Sequence, residues 1–316
     1  MAWLWRRLTL VAVAAAAAKT LIIGSRGSAL ALWQARFVAS LLDRAGYTTR
    51  IEIIKTTGDH LQSASLAQAG GKGLFTKEIE DALLAGTIDL AVHSLKDLPT
   101  DLPPGLAIAA VPERESPFDA LVGKRLADLL AGARVGTSSG RRAAQLRILR
   151  PDLTIEPIRG NVDTRLRKVK EGQFDATLLA VAGLKRLHLD AEIAQVFSPD
   201  EICPAPGQGA LAIETRAGDD VFRACTRLSH PASNEAVECE RAVLSALGGG
   251  CQLPVGAFAE FVDGELRAQA IVVSPDGAER LAAKGAAGGK TAVELGRSIA
   301  ADLLAQGAGS ILAQGT

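Results

Sequence analysis

The sequence predicts an α/β fold of two hinged lobes followed by a small α+β domain. Three observations predict it. Apolar strand-like runs alternate with helically spaced segments from Leu21 to Glu214, the pattern of mainly parallel sheets covered by helices. Two Pro- or Pro/Gly-rich stretches, Pro112–Pro117 (PERESP) and Pro204–Ala210 (PAPGQGA), break that alternation and read as crossovers between lobes around a cleft. Beyond Pro231 the pattern changes to a long helix and strands around a tight turn.

The first lobe opens with a strand at Leu21–Ile23, which the GSRGS turn (Gly24–Ser28) leads into a helix over Ala29–Ala45. Arg50–Thr56 is a second strand, and Phe75–Leu84 has apolar residues at helical spacing. Ile88–His93 and Leu106–Val111 are further buried strands. The polar Asp59–Gly71 segment has the composition of a lid. The second lobe places strands at Ala133–Thr137, Thr154–Ile158 and Ala176–Val181, with helices over Arg141–Leu149, Asp163–Glu171 and Ala191–Val196. A strand at Ala210–Glu214 follows the second crossover. In the tail, Pro231–Leu247 is a helix ended by Gly248–Gly250, and Val255–Phe261 and Glu265–Val272 form a hairpin around Asp263–Gly264. Pro275–Gly277 is a turn, Ala282–Lys290 a low-complexity loop and Ala292–Leu304 a final amphipathic helix.

Composition narrows the function. The 316 residues carry 35 basic and 35 acidic side chains, a balance unlike the basic excess of nucleic-acid binders. Aromatics are 4%, too few for base-stacking platforms. Four cysteines do not make a disulfide scaffold, and none has CxxC or Cys/His spacing, so no metal site is expected. Glycine-rich nucleotide motifs are absent, since GGKGLF lacks the spacing of a phosphate loop. Residues 1–18 (MAWLWRRLTLVAVAAAAA) combine a cationic start with an apolar run too short to span a bilayer comfortably. They read as an export or transit signal, as sequence upstream of a mis-assigned start, or as an Ala-rich helical extension.

Cations gather where strands end. Arg26 lies in the first strand–helix turn, Lys72 in GGKGLF, and Lys96 just after IDLAVH. Arg141 and Arg142 open a helix after VGTSSG, Arg159 begins RGN, Arg165 lies one turn into the next helix, and Arg186 follows LLAVAGL. Any one of these could be a solvated surface charge. As a set they share the topological position where open α/β sheets bind ligands, beside Gly, Ser and Thr that offer backbone N–H donors. Arginine adds a planar fork for carboxylates, so the expected ligand is small and carries many negative groups. Cys251, in GGGCQLP, has uncovered surroundings that suit attachment or nucleophilic chemistry, whereas Cys203, Cys225 and Cys239 fit structural positions.

The motifs GSRGSALALWQ, GGKGLFTKEIE, DLAVHSLKDLP, GTSSGRR, RGNVDTRL, LLAVAGLKRL, PAPGQGAL and GGGCQLPVG, in that order from about Thr20 to Ala313, together resemble the porphobilinogen deaminase (hydroxymethylbilane synthase) family. The resemblance implies an α/β protein of three domains: two periplasmic-binding-protein-like lobes joined by hinge crossovers, and a small α+β C-terminal domain. Expected boundaries are 19–114 completed by 208–228, then 115–207, then 229–316, with 1–18 as an extension. The implied activity is transfer: four porphobilinogen molecules joined head to tail with loss of ammonia, giving hydroxymethylbilane for haem and other tetrapyrroles. The implied cofactor is dipyrromethane, held by a thioether to Cys251. Carried over residue by residue, Asp97 is the catalytic acid. Lys72, Lys96, Arg141, Arg142, Arg165 and Ser138 bind the cofactor, while Arg26, Ser28, Arg159 and Arg186 bind substrate. The family also implies a cytoplasmic monomer that engages neither nucleic acid nor membrane. Gly140 and Gly248 depart from the usual pattern, in which a larger residue precedes the arginine pair and a Glu precedes GGC; neither removes a reacting group. The rival readings are a two-lobed periplasmic binding protein for a polycarboxylate, disfavoured by the third domain and Cys251, and a regulator's effector domain, disfavoured by the lack of a helix-turn-helix segment.

Overall fold

The computed structural model describes residues 20–57, 76–248 and 254–314. The first lobe begins with β1 (Leu21–Ser25), α1 (Ala29–Arg44) and β2 (Thr49–Ile53). Ser28 caps α1, its Oγ accepting from the Ala31 N–H at 3.3 Å, which stops the strand and starts the helix within three residues. The helix buries Gln34, Ala35, Val38 and Leu42, one face at i, i+4 and i+8 spacing, against the sheet. Then come α2 (Lys77–Leu84), β3 (Leu90–Ser94), a single 3₁₀ turn at Leu95–Asp97, and β4 (Leu106–Ala110).

The chain crosses to the second lobe and forms β5 (Asp119–Gly123), β6 (Arg134–Gly136), α3 (Gly140–Leu149), β7 (Thr154–Glu156), α4 (Val162–Lys170), β8 (Ala176–Ala180), α5 (Val181–Arg186) and β9 (Ile193–Val196). It returns through β10 (Leu211–Arg216) and α6 (Asp220–Thr226) to the first lobe. Both lobes follow one plan. The first sheet has the order β2-β1-β3-β10-β4 and the second β7-β6-β8-β5-β9. In each, the strand that arrives from the other lobe, β10 or β5, runs antiparallel between two neighbours, while the pairs β1–β2, β1–β3, β6–β7 and β6–β8 are parallel. The parallel strands therefore all end toward the same crevice.

The third unit contains α7 (Pro231–Ala246), β11 (Val255–Val262), β12 (Glu265–Val273), β13 (Arg280–Ala286), α8 (Ala292–Ala305) and α9 (Ala308–Gln314). Its antiparallel sheet turns at Asp263–Gly264, both with positive φ, as a tight hairpin requires. Val243, Val255, Ala270, Leu295, Ile299 and Leu303 form the core between helices and sheet.

Two expected elements differ. Ala191–Val196 is a 3₁₀ turn at Asp190–Glu192 followed by edge strand β9, not a helix. Six residues are too few to nucleate a helix unaided, and Ile193 and Val196 prefer the pleated edge offered by β5. The Ala282–Lys290 loop is strand through Ala286, because β12 supplies a complete antiparallel ladder and alanines fit its face. The short β5, α5 and α6 have no separate signature in the sequence. The Asp59–Gly71 lid, Phe75 and the N-terminal extension lie outside the described residues.

Candidate active site

Each turn at the crevice follows a parallel strand. β1 runs directly into Arg26 and the Ser28 cap, and β3 into the 3₁₀ turn that carries Lys96 and Asp97. The loop after β6 leads to Ser139, whose Oγ accepts from the Arg142 N–H at 3.4 Å to cap α3. α4 starts after Gly160–Asn161, and α5 follows β8 without a loop.

These turns enclose a cleft of about 310 Å³ between the lobes. Its wall includes Arg26, Ser28, Lys96, Asp97, Arg142, Arg165 and Arg186, together with Asp163 and Gly209. Five cations face two carboxylates there. Seven of the expected site residues are thus brought together. Arg141, Ser138 and Arg159 do not line this cleft. Lys72 and Cys251 lie outside the described residues.

Behind the wall is a buried polar network. Asp119 opens β5 with no exposed surface. It accepts from Arg141 Nη1 at 2.7 Å, from Arg142 Nε and Nη2 at 2.8 and 2.6 Å, and from Gln208 Nε2 at 3.0 Å. Burial alone would raise its pKa; the two guanidiniums outweigh burial and hold it well below the usual carboxylate range. Arg141 also donates to the Cys203 carbonyl at 2.6 Å, so its head is turned into the lobe while Arg142 reaches the cleft. Successive helical residues point about 100° apart, and an adjacent arginine pair divides in this way. Gln208 donates to the Pro117 carbonyl at 2.7 Å and accepts from Lys96 Nζ at 3.3 Å, tying both crossovers to the cleft. Ser138 donates to the Ile158 carbonyl at 2.8 Å.

Positive charge is crowded along the cleft wall. Burial, and then Arg142, bring Lys96 down to about 8. Burial, Arg142 and Arg159 bring Arg165 to about 10, and burial brings Arg186 to about 10. Arg165 Nε donates to the Gly160 carbonyl at 2.9 Å and one Arg186 Nη to that of Gly209 at 2.7 Å. Cations that depress one another are relieved by an anion, so this donor set fits a small polycarboxylate such as dipyrromethane.

Cys203, Cys225 and Cys239 are buried, and burial pushes each thiol up to about 12, so none is a ready nucleophile. Among the described residues no group of three or more His, Cys, Asp or Glu could hold a metal, and no helix is long and apolar enough to cross a membrane.

Sequence reasoning missed Asp119, Gln208 and Trp33. An acid opening the apolar run ALV signals a paired buried charge, but its partners lie 22, 23 and 89 positions away. Gln208 sits inside PAPGQGA, whose prolines and glycines announce a crossover and hide its one polar side chain. Trp33 lies inside the GSRGSALALWQ motif, where nothing in the local spacing marks it as the partner of Arg186, far along the chain.

Residues 21–224 match the family described as "Porphobilinogen deaminase, dipyromethane cofactor binding domain", and residues 234–305 match "Porphobilinogen deaminase, C-terminal domain". Relatives named porphobilinogen deaminase include one from Syntrophomonas wolfei, 48% identical over 94% of this chain and 99% of the relative. One from Roseiflexus is 51% identical over 93% and 99%, and one from Thermus thermophilus is 49% identical over 94% and 99%. Among solved structures, a periplasmic substrate-binding protein from Coxiella burnetii aligns with a TM-score of 0.41 and 14% identity over 68% of this chain and 94% of that one, too slight a likeness to carry an argument about function.

Proposed function

The chain belongs to the porphobilinogen deaminase family, and from that membership we propose how its own residues carry the reaction. It is a hydroxymethylbilane synthase that joins four porphobilinogen molecules head to tail, releases four molecules of ammonia and takes up one water. The observation that carries the assignment of residues is the cleft wall, with five cations against two carboxylates.

Dipyrromethane, held through Cys251, supplies the pyrrole from which the chain grows and which stays behind when product leaves. The buried thiols of Cys203, Cys225 and Cys239 support Cys251 as the attachment point. Lys96, Arg142 and Arg165 would hold the cofactor's acetate and propionate groups, and Lys72 is proposed as a further binder of them. Arg141 and Ser138 act from behind the wall, Arg141 by sharing Asp119 with Arg142. Arg26, Ser28 and Arg186 receive the incoming substrate's carboxylates, and Arg159 reinforces the positive field at Arg165. These charge-assisted contacts fix the substrate's aminomethyl carbon against the growing end.

Asp97 is the exposed residue of the 3₁₀ turn and lines the cleft. Loss of ammonia leaves positive charge on the substrate's pyrrole. The Asp97 carboxylate accepts from the pyrrole N–H, stabilises that charge, and assists removal of the ring proton once the new carbon–carbon bond has formed. Unit boundaries at 19–114 with 208–228, 115–207 and 229–316 follow from the two crossovers. We read the protein as a cytoplasmic monomer with a small-molecule substrate that engages neither nucleic acid nor membrane; the neutral charge balance speaks against nucleic acid.

Intact-mass measurement with turnover assays tests the assignment. The purified protein is expected to exceed its sequence mass by one dipyrromethane. Cys251→Ser loses both the added mass and turnover, because a hydroxyl is a far weaker nucleophile than a thiolate. Asp97→Asn keeps the added mass and slows turnover by at least about 100-fold. Full activity and added mass in Cys251→Ser, or a fully active Asp97→Asn, overturns the corresponding role.

A further inference from the structure

Trp33 lies on α1 of the first lobe and is the one tryptophan among the described residues. Arg186 ends α5 of the second lobe and is buried. The two helices pack together, with Gly183 of α5 close against Leu30 of α1. At this contact the Arg186 guanidinium carbon stands 5.6 Å from the centroid of the Trp33 ring. Trp33 is itself held by Phe37 one helical turn on, the rings stacked at 5.4 Å with 9° between their planes. Arg186 also donates to the Gly209 carbonyl at 2.7 Å. The carboxylate that acts on Arg186 electrostatically, Glu115, is bound to Lys185 at 2.9 Å.

Arg186 is therefore aimed by an aromatic face and a carbonyl. A paired carboxylate would aim it equally well but would compete with any carboxylate in the cleft. An indole face attracts the guanidinium without neutralising it, and one accepted N–H leaves further donors for a ligand. The contact spans the two lobes, so the aim of Arg186 depends on their relation.

We propose that Trp33 is a positioning residue: its indole face holds the Arg186 guanidinium at the cleft wall, ready to receive a substrate carboxylate. The proposal rests on the reading of Arg186 as a carboxylate binder. Without the ring, the Gly209 carbonyl alone of these two groups aims the guanidinium, and part of its ordering falls to each binding event. The interaction is the same in ground and transition states, so its loss falls on KM and not on kcat.

The test is a double-mutant cycle on the holoenzyme, with added dipyrromethane mass confirmed in every variant. Trp33→Leu and Trp33→Met, the latter filling space without a π face, are expected to raise KM for porphobilinogen about 3- to 10-fold. In both, kcat stays within about 2-fold, and Trp33→Phe restores most of the KM. In an Arg186→Gln background, Trp33→Leu adds nothing further, because its effect passes through Arg186. A full, independent KM increase on top of Arg186→Gln, or a fall in kcat with KM unchanged, overturns the proposal and leaves the reading of Arg186 standing. An unchanged KM in Arg186→Gln alone removes that reading and the proposal with it.

Discussion

Lys96 is linked to the second lobe through Gln208: its ammonium donates to Gln208 at 3.3 Å, and Gln208 donates to Asp119 at 3.0 Å. Burial and then Arg142 lower its pKa from the ordinary 10.5 to about 8. Between those values the unfolded chain binds more protons than the folded one, so this lysine makes stability rise with pH across the window from about 8 to 10.5. Below about 8 both states hold the proton and the group gives no slope. In protein lacking dipyrromethane, wild type should therefore gain stability over Lys96→Met as pH rises through that window. Denaturant unfolding at a series of pH values measures this, and parallel curves for the two proteins would refute it. The cations at strand ends were legible because their place in an α/β sheet is fixed by topology. Their partners were not: the division of Arg141 from Arg142 depends on Asp119 and the Cys203 carbonyl, which only folding brings near.

Among the elements, the second crossover is the most constrained. Gly209 has φ +85°, and a Cβ there would lie 2.2 Å from the Glu115 carbonyl oxygen and 2.8 Å from that of Ser116. The two crossovers thus touch backbone to backbone, and the Gly209 carbonyl holds Arg186. Gly209→Ala is expected to lose about 2–5 kcal/mol through left-handed strain and overlap together. Gly218, with φ +72° and open space around it, is the control, and Gly218→Ala should lose only about 1 kcal/mol. Equal losses in urea unfolding would show that the crossover contact does not matter. The Pro/Gly composition of PAPGQGA revealed a crossover, but not that it rests on the other one. Periodicity revealed the long elements, such as α1, α7 and α8. It failed at β9 and β13, where a neighbouring strand's free edge decides the conformation of short, weakly patterned segments.

Across the whole molecule, one carboxylate joins the hinge to the third unit. Glu240 on α7 is 1% exposed. It accepts from Arg114 Nη1 and Nη2 at 2.8 and 3.0 Å, from the Gly207 N–H at 2.7 Å and from the Ala259 N–H at 2.8 Å. Arg114 precedes β5 in the first crossover, Gly207 belongs to the second, and Ala259 lies in β11. Arg114 Nε also donates to the Gln208 carbonyl at 2.8 Å, and its N–H to Ser233 Oγ at 3.0 Å. Both crossovers are thereby fixed to the third unit. Removing one partner strands a buried charge. Glu240→Gln keeps the shape but turns an amide N–H₂ toward donors, and Arg114→Met leaves the carboxylate facing apolar neighbours. Each single change is expected to cost about 3–5 kcal/mol. The double variant Arg114→Met/Glu240→Leu, which removes both charges, should cost less than the two singles added together, by about 1–3 kcal/mol of coupling. Equilibrium unfolding of the four proteins measures the cycle. Strict additivity, or singles within about 0.5 kcal/mol of wild type, would mean that apolar packing such as that of Val237 with Val111 and Ala210 holds the third unit to the hinge.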